Sequence, residues 1–101
     1  MKKSFHVILN TGVADDIQEA VDYYKNKEKS LGLKFYQSAK NTIKTLTDDA
    51  LLYQIKYKDV RCVKVSIFPY LVHYVVDKKE NLVRVYGVIC TYKNPDKHWV
   101  E

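Results

Sequence analysis

Apolar and polar positions alternate most densely in the second half of the chain. Residues 60–67 read Val-Arg-Cys-Val-Lys-Val-Ser-Ile, Phe68-Pro69-Tyr70 follows, and residues 71–76 read Leu-Val-His-Tyr-Val-Val. A polar break at residues 77–81 separates these from a third apolar run, residues 82–90, which leads into Thr91-Tyr92-Lys93-Asn94. Three β-rich segments divided by turn signals predict a meander. Another strand is expected at residues 52–57, with Lys58-Asp59 as a two-residue hairpin loop. Period-two spacing puts Arg61, Val63, Val65 and Ile67 on one face of their strand and Cys62, Lys64 and Ser66 on the other. In the last strand Val83, Val85, Gly87 and Ile89 share a face, opposite Leu82, Arg84, Tyr86, Val88 and Cys90.

The first half has the other period. After a short strand at residues 5–9 and a break at Asn10-Thr11-Gly12, Val13, Ile17, Ala20, Val21 and Tyr24 form one helical stripe. Asp15, Asp16 and Glu19 lie near its start, where carboxylates are favoured. A charged bridge at residues 25–30 and a break or tight turn at Leu31-Gly32 precede a second helix over about residues 33–46. Its stripe is Phe35, Ala39, Ile43 and Leu46. Two amphipathic helices with a short connection predict an antiparallel hairpin, and the sheet is the only surface on which it can bury its stripes. The expected fold is α+β in two layers: a two-helix hairpin on one face of a four-stranded, mostly antiparallel sheet, in a single domain spanning residues 1–101.

Composition adds a charge asymmetry. The net charge is +5; residues 1–50 hold 8 Lys against 7 acidic residues, and residues 51–101 hold 9 Lys or Arg against 5. The sheet half is therefore the basic half. A basic face attracts polyanions or acidic protein segments, and equally serves as a solvated surface. Fifteen of the 17 cations are Lys, which argues against dedicated bidentate phosphate clamps. Nine Tyr against three Phe suit half-buried or partner-facing surfaces. Cys62 and Cys90 have no metal-ligand spacing, could pair only from adjacent strands, and are expected to be reduced thiols. No apolar run has signal-peptide or membrane-span length, so a soluble cytoplasmic protein is expected.

Few arrangements carry chemistry. His6, His73 and His98 have no metal spacing, and Gly12, Gly32 and Gly87 are isolated, which excludes ordinary phosphate loops. No cofactor or metal is expected. A metal-free ribonuclease needs a base, a cation for the phosphorane charge and an acid. His73, Lys64, Arg84, Tyr86 and Lys93 are the right types, but spacing alone does not converge them. Lys64, His73, Arg84 and Tyr86 are expected on the exposed sheet face. Arg61 shares a face with Val63 and Val65, which favours a buried or edge ion pair. Pro69 is expected to set a turn, and Trp99 either packs the tail or anchors a partner.

Ala14-Asp15-Asp16-Ile17, Tyr23-Tyr24, Leu31-Gly32-Leu33-Lys34-Phe35, Val60-Arg61, Phe68-Pro69-Tyr70 with Tyr74, residues 83–88, and Lys93-Asn94-Pro95 with Trp99 occur in an order that resembles the RelE/ParE toxin superfamily of type II toxin–antitoxin modules. The resemblance covers nearly the whole chain and implies two helices packed on an antiparallel sheet. It implies a growth-inhibiting toxin, associated with plasmid stabilisation and neutralised by a cognate antitoxin protein. Nuclease members of the RelE branch place an Arg after the turn opening the fourth strand, where this chain has Leu71. Related sequences often carry His where this chain has Cys90 and Arg where it has Lys93. The Phe-Pro-Tyr pattern is closer to the ParE side, whose members are associated with inhibition of DNA gyrase. The resemblance thus implies a ParE-like toxin acting by binding, with Arg61, Lys64, His73, Tyr86, Lys93 and Trp99 as candidate antitoxin or target contacts. The alternatives are a RelE-like ribosome-dependent mRNA endonuclease using Lys64, Arg84, Tyr86 and Lys93, or a degenerate domain that only binds a partner.

Overall fold

The computed structural model describes residues 4–91. In chain order the elements are β1 (His6–Leu9), α1 (Val13–Lys27), α2 (Lys29–Asp49), β2 (Ile55–Tyr57), β3 (Val60–Lys64), β4 (Tyr70–Asp77) and β5 (Leu82–Cys90). The sheet has five strands in the order β1-β5-β4-β3-β2, not four. Strands β2 to β5 form the expected antiparallel meander. The first strand pairs parallel to β5, so the sheet is mixed. The meander leaves the outer edge of β5 without a neighbour, and β1 satisfies those backbone groups.

Both helical stripes are where periodicity puts them. Val13 and Ala20 of α1, and Phe35, Ala39 and Leu46 of α2, are buried in one core with Val63, Val65, Val72, Tyr74, Val83, Val85 and Val88 of the sheet half. The Tyr74 hydroxyl donates to the Ala50 carbonyl at 2.6 Å, tying the end of α2 to the central strand. The connection between the helices is shorter than the charge pattern suggests. Glu28 alone is extended (φ −160°, ψ 129°), and its N–H donates to the Tyr24 carbonyl at 2.9 Å. Gly32 does not break the helix. It is buried inside α2, and a Cβ there would lie 3.0 Å from Lys25 Cβ and 3.1 Å from the Val21 carbonyl oxygen. The glycine lets two helix backbones approach.

The alternation expected for β5 changes phase midway. His73 pairs with Gly87, but Tyr74 pairs with Val85, so Tyr86 is an extra residue in a bulge. Beyond it Val88 faces the core instead of Ile89. Asp16 of α1 supports this point: its Oδ2 accepts from the Val88 N–H at 3.0 Å, and a Cβ on Gly87 would lie 3.2 Å from the same oxygen. Gly87→Ala is expected to displace that carboxylate and destabilise the domain by about 1–2 kcal/mol. Urea unfolding of the two proteins, at an unchanged slope, measures it.

The strand expected over residues 60–67 ends at Lys64. Residues 65–69 form a loop in which Phe68 N–H donates to the Val65 carbonyl (3.3 Å) and Val65 N–H to the carbonyl of Tyr70 at the start of β4 (2.9 Å). Ile67 is the third residue of this turn, with φ +62° and 65% of its surface exposed. That position in a turn ordinarily takes Gly or Asn. A β-branched residue there stores about 1–3 kcal/mol of backbone strain. A third of an Ile side chain buried recovers less than about 1 kcal/mol. The other positive φ values are at Lys58 and Asn81, in the two remaining hairpin turns.

Candidate functional site

The helix-free face of the sheet carries Cys62 and Lys64 of β3, Leu71 and His73 of β4, and Arg84 and Tyr86 of β5, as the registers require. Lys64 and Arg84 are exposed, and Tyr86 is 49% exposed. His73 is not the exposed group expected from alternation: it is 1% exposed. It lies on a central strand, flanked by Cys62 and Gly87 on the neighbouring strands. Tyr57 Oη is 3.1 Å and Cys62 Sγ 3.5 Å from its Nδ1. Burial pushes the Cys62 thiol up to about 11, partly opposed by Lys56, so it is a neutral thiol at pH 7 and not an activated nucleophile. Cys90 is two strands away on β5, and both cysteines are free.

The register also separates the cations. Lys64 is level with Leu71 and Ile89, whereas Arg84 pairs with Val75. Four residues along β4, from Leu71 to Val75, and two strands across put the Cα atoms of Lys64 and Arg84 about 17 Å apart. Tyr86 lies between them on the same face. Arg61 is half-buried on the helix-facing side, and its Nη1 donates to the Tyr53 carbonyl at 2.6 Å. That backbone partner replaces the expected ion pair and fixes the segment entering β2. Lys93 and Trp99 lie outside the described residues. Among the described residues no three His, Cys, Asp or Glu side chains gather as a metal site. No described helix is long and apolar enough to cross a membrane.

A concave surface lies elsewhere, between α1 and the ends of β4 and β5. A mostly apolar groove of about 330 Å³ is lined by Glu19, Tyr23, Tyr24, Lys27, Pro69, Tyr70 and Cys90. Its floor continues into the core through aromatic contacts. Tyr24 stacks on Phe35 at 5.5 Å and meets Phe68 edge-on at 4.8 Å, while Phe35 meets Tyr70 at 4.9 Å. Tyr23 packs edge-on against Tyr24 at 5.1 Å, and Lys27 Nζ sits 5.0 Å over the Tyr23 ring. The rim thus offers a cation and a carboxylate above an aromatic floor. Tyr23-Tyr24 and Phe68-Pro69-Tyr70 are visible as motifs, but their convergence needs the α1–sheet packing.

The groove also predicts alkaline behaviour. Burial, then the neighbouring Cys90 thiol and Tyr24, raise the Tyr70 phenol to about 12, and burial likewise raises the Tyr74 phenol. For such acids the folded state keeps a proton that the unfolded chain releases. The associated stability is complete below the unfolded values near 9 to 10 and falls as pH rises through about 11 to 12. Thermal melts from pH 8 to 12 are expected to show Tm falling across that window, with a shallower fall for Cys62→Ser between pH 9 and 11.

This two-layer frame can be set against known proteins. Residues 7–95 match the family model described as ParE toxin of type II toxin-antitoxin system, parDE. The chain belongs to the ParE toxin family. The structure is similar to one solved as the chromosomal ParDE TA system from P. aeruginosa, with a TM-score of 0.76 at 15% identity, covering 86% of this chain and 96% of that one. No curated protein matches the chain. The family assignment agrees with the ParE-like pattern around Phe68-Pro69-Tyr70, and the shared frame agrees with two helices on one face of a sheet. The chain is thus a toxin of the type II toxin–antitoxin class.

Proposed function

We propose that this ParE-family toxin arrests growth by binding an essential target, DNA gyrase, and that a cognate antitoxin neutralises it. The observation that carries a binding mode of action is the register of the sheet. Lys64 and Arg84 stand at distant levels of one face, and Leu71 faces the same side, so among the described residues the sheet does not gather its exposed cations at one point. Electrostatic stabilisation of a transition state requires such groups to converge on one atom.

The groove beside α1 supports the antitoxin half of the reading. An aromatic floor with Lys27 at the rim suits an amphipathic segment that lays down apolar anchors and carries acidic flanks. Three measurements test the proposal together. Induced expression in a bacterial host is expected to stop growth, and co-expression of a small acidic protein encoded by the adjacent gene to restore it. The purified toxin is expected to inhibit gyrase supercoiling and to leave ribosome-programmed mRNA intact. Cleavage of that mRNA, lost in Lys93→Ala, would establish nuclease action instead.

A further inference from the structure

The turn between β3 and β4 is out of keeping with the rest of the fold. Asn81 occupies one positive-φ turn position, and Asn is a residue that accepts it. Ile67 occupies another, a conformation in which a branched side chain is crowded by its own backbone, and most of the residue stands in solvent. Packing therefore does not account for the choice of residue. Backbone strain held at an exposed apolar side chain points to a contact made outside the domain.

We propose that Ile67 is an anchor that inserts into an apolar pocket on a folded protein target, and that this contact is part of how the toxin engages what it inhibits. The proposal rests on the toxin reading above. The shape of the site selects the kind of partner. Ile67 is a projection at a hairpin tip, so it needs a pre-formed cavity. A segment that folds on binding supplies anchors to a groove instead, and that description fits the surface beside α1. An aliphatic side chain offers no ring for base stacking and no donor for phosphate. Charge narrows the choice further. Residues 60–76 contain no acidic residue, and Lys64 is exposed three positions before Ile67. The fitting pocket is apolar with acidic groups around its mouth.

Ile67→Asn tests the anchor, because Asn tolerates the backbone conformation and removes the apolar tip. Ile67→Leu retains an apolar tip. Each is expressed in a bacterial host beside the wild-type chain, and each purified protein is melted and mixed with duplex DNA in a gel-shift assay. Ile67→Asn is expected to melt about 4 °C higher, from relief of strain, and to lose growth arrest. Loss of a hot-spot anchor weakens binding by roughly thirtyfold to a thousandfold. Ile67→Leu is expected to arrest growth. Arrest by Ile67→Asn at wild-type strength overturns the anchor while leaving the toxin reading intact. So does a lower melting temperature for Ile67→Asn, which would show that the conformation is not strained. A DNA shift that depends on Ile67 replaces the protein pocket with an apolar wedge between bases. Failure of the wild-type chain to arrest growth removes the toxin reading itself.

Discussion

Phe35→Ala is expected to lower the unfolding free energy by about 3–5 kcal/mol. Against a total of about 5–15 kcal/mol for a domain, this leaves a marginal protein. The size of the effect follows from position. Phe35 is fully buried in the second turn of α2, with ring centroids 5.5 Å from Tyr24, 5.0 Å from Phe68 and 4.9 Å from Tyr70. Those three rings come from α1, the β3–β4 loop and β4, so collapse around a deleted ring would need all three to move together. Denaturant unfolding followed by circular dichroism measures the loss. The same deletion undermines the floor of the groove, since Tyr24 and Tyr70 line it. Phe35→Leu retains most of the volume and is expected to cost about 1–2 kcal/mol.

Gly32→Val is expected to cost about 3 kcal/mol, by overpacking rather than by a cavity. The Cβ alone would meet the Val21 carbonyl oxygen at 3.1 Å and the Lys25 Cα at 3.3 Å, and backbone atoms of a helix do not rotate away. Two further methyl carbons would force α1 and α2 apart along the seam that also positions Tyr24. Gly32→Ala is the informative control. It gains about 1 kcal/mol of helix propensity, which offsets much of the crowding cost. The two melting temperatures should therefore differ widely, with the alanine variant near wild type. Equal losses would show that backbone conformation, and not interhelical space, requires the glycine.

Several features of the fold and site are legible in the chain because they are local. The spacing of Val13, Ile17, Ala20 and Tyr24 marks a face of α1, and that of Phe35, Ala39 and Leu46 marks a face of α2, with no knowledge of the partner surface. The meander follows from short apolar runs and tight turns for the same reason. The RelE/ParE-like order of motifs, with the ParE-side pattern at Phe68-Pro69-Tyr70, agrees with the family match over residues 7–95. Local reasoning fails where a residue answers to a distant one. Gly32 looks like a helix break because an isolated glycine ordinarily weakens a helix, yet its neighbours are Val21 and Lys25 on the other helix. His73 looks exposed because alternation assigns a face without saying how closely that face is covered.

By itself the sequence determined the two helices and the antiparallel meander, which rest on residue types at short spacings, the basic second half, which rests on composition, and the family, which rests on an ordered set of motifs. Only the tertiary structure decided that β1 closes the sheet beside β5 in parallel, that a bulge at Tyr86 turns Val88 inward, and that Lys64 and Arg84 stand far apart. It also decided that Tyr23, Tyr24, Pro69 and Tyr70 share one groove and that Ile67 is held strained in solvent. These depend on register, close approach and backbone dihedral angles, which are set when separate elements pack. A pattern read along one strand or helix does not contain them.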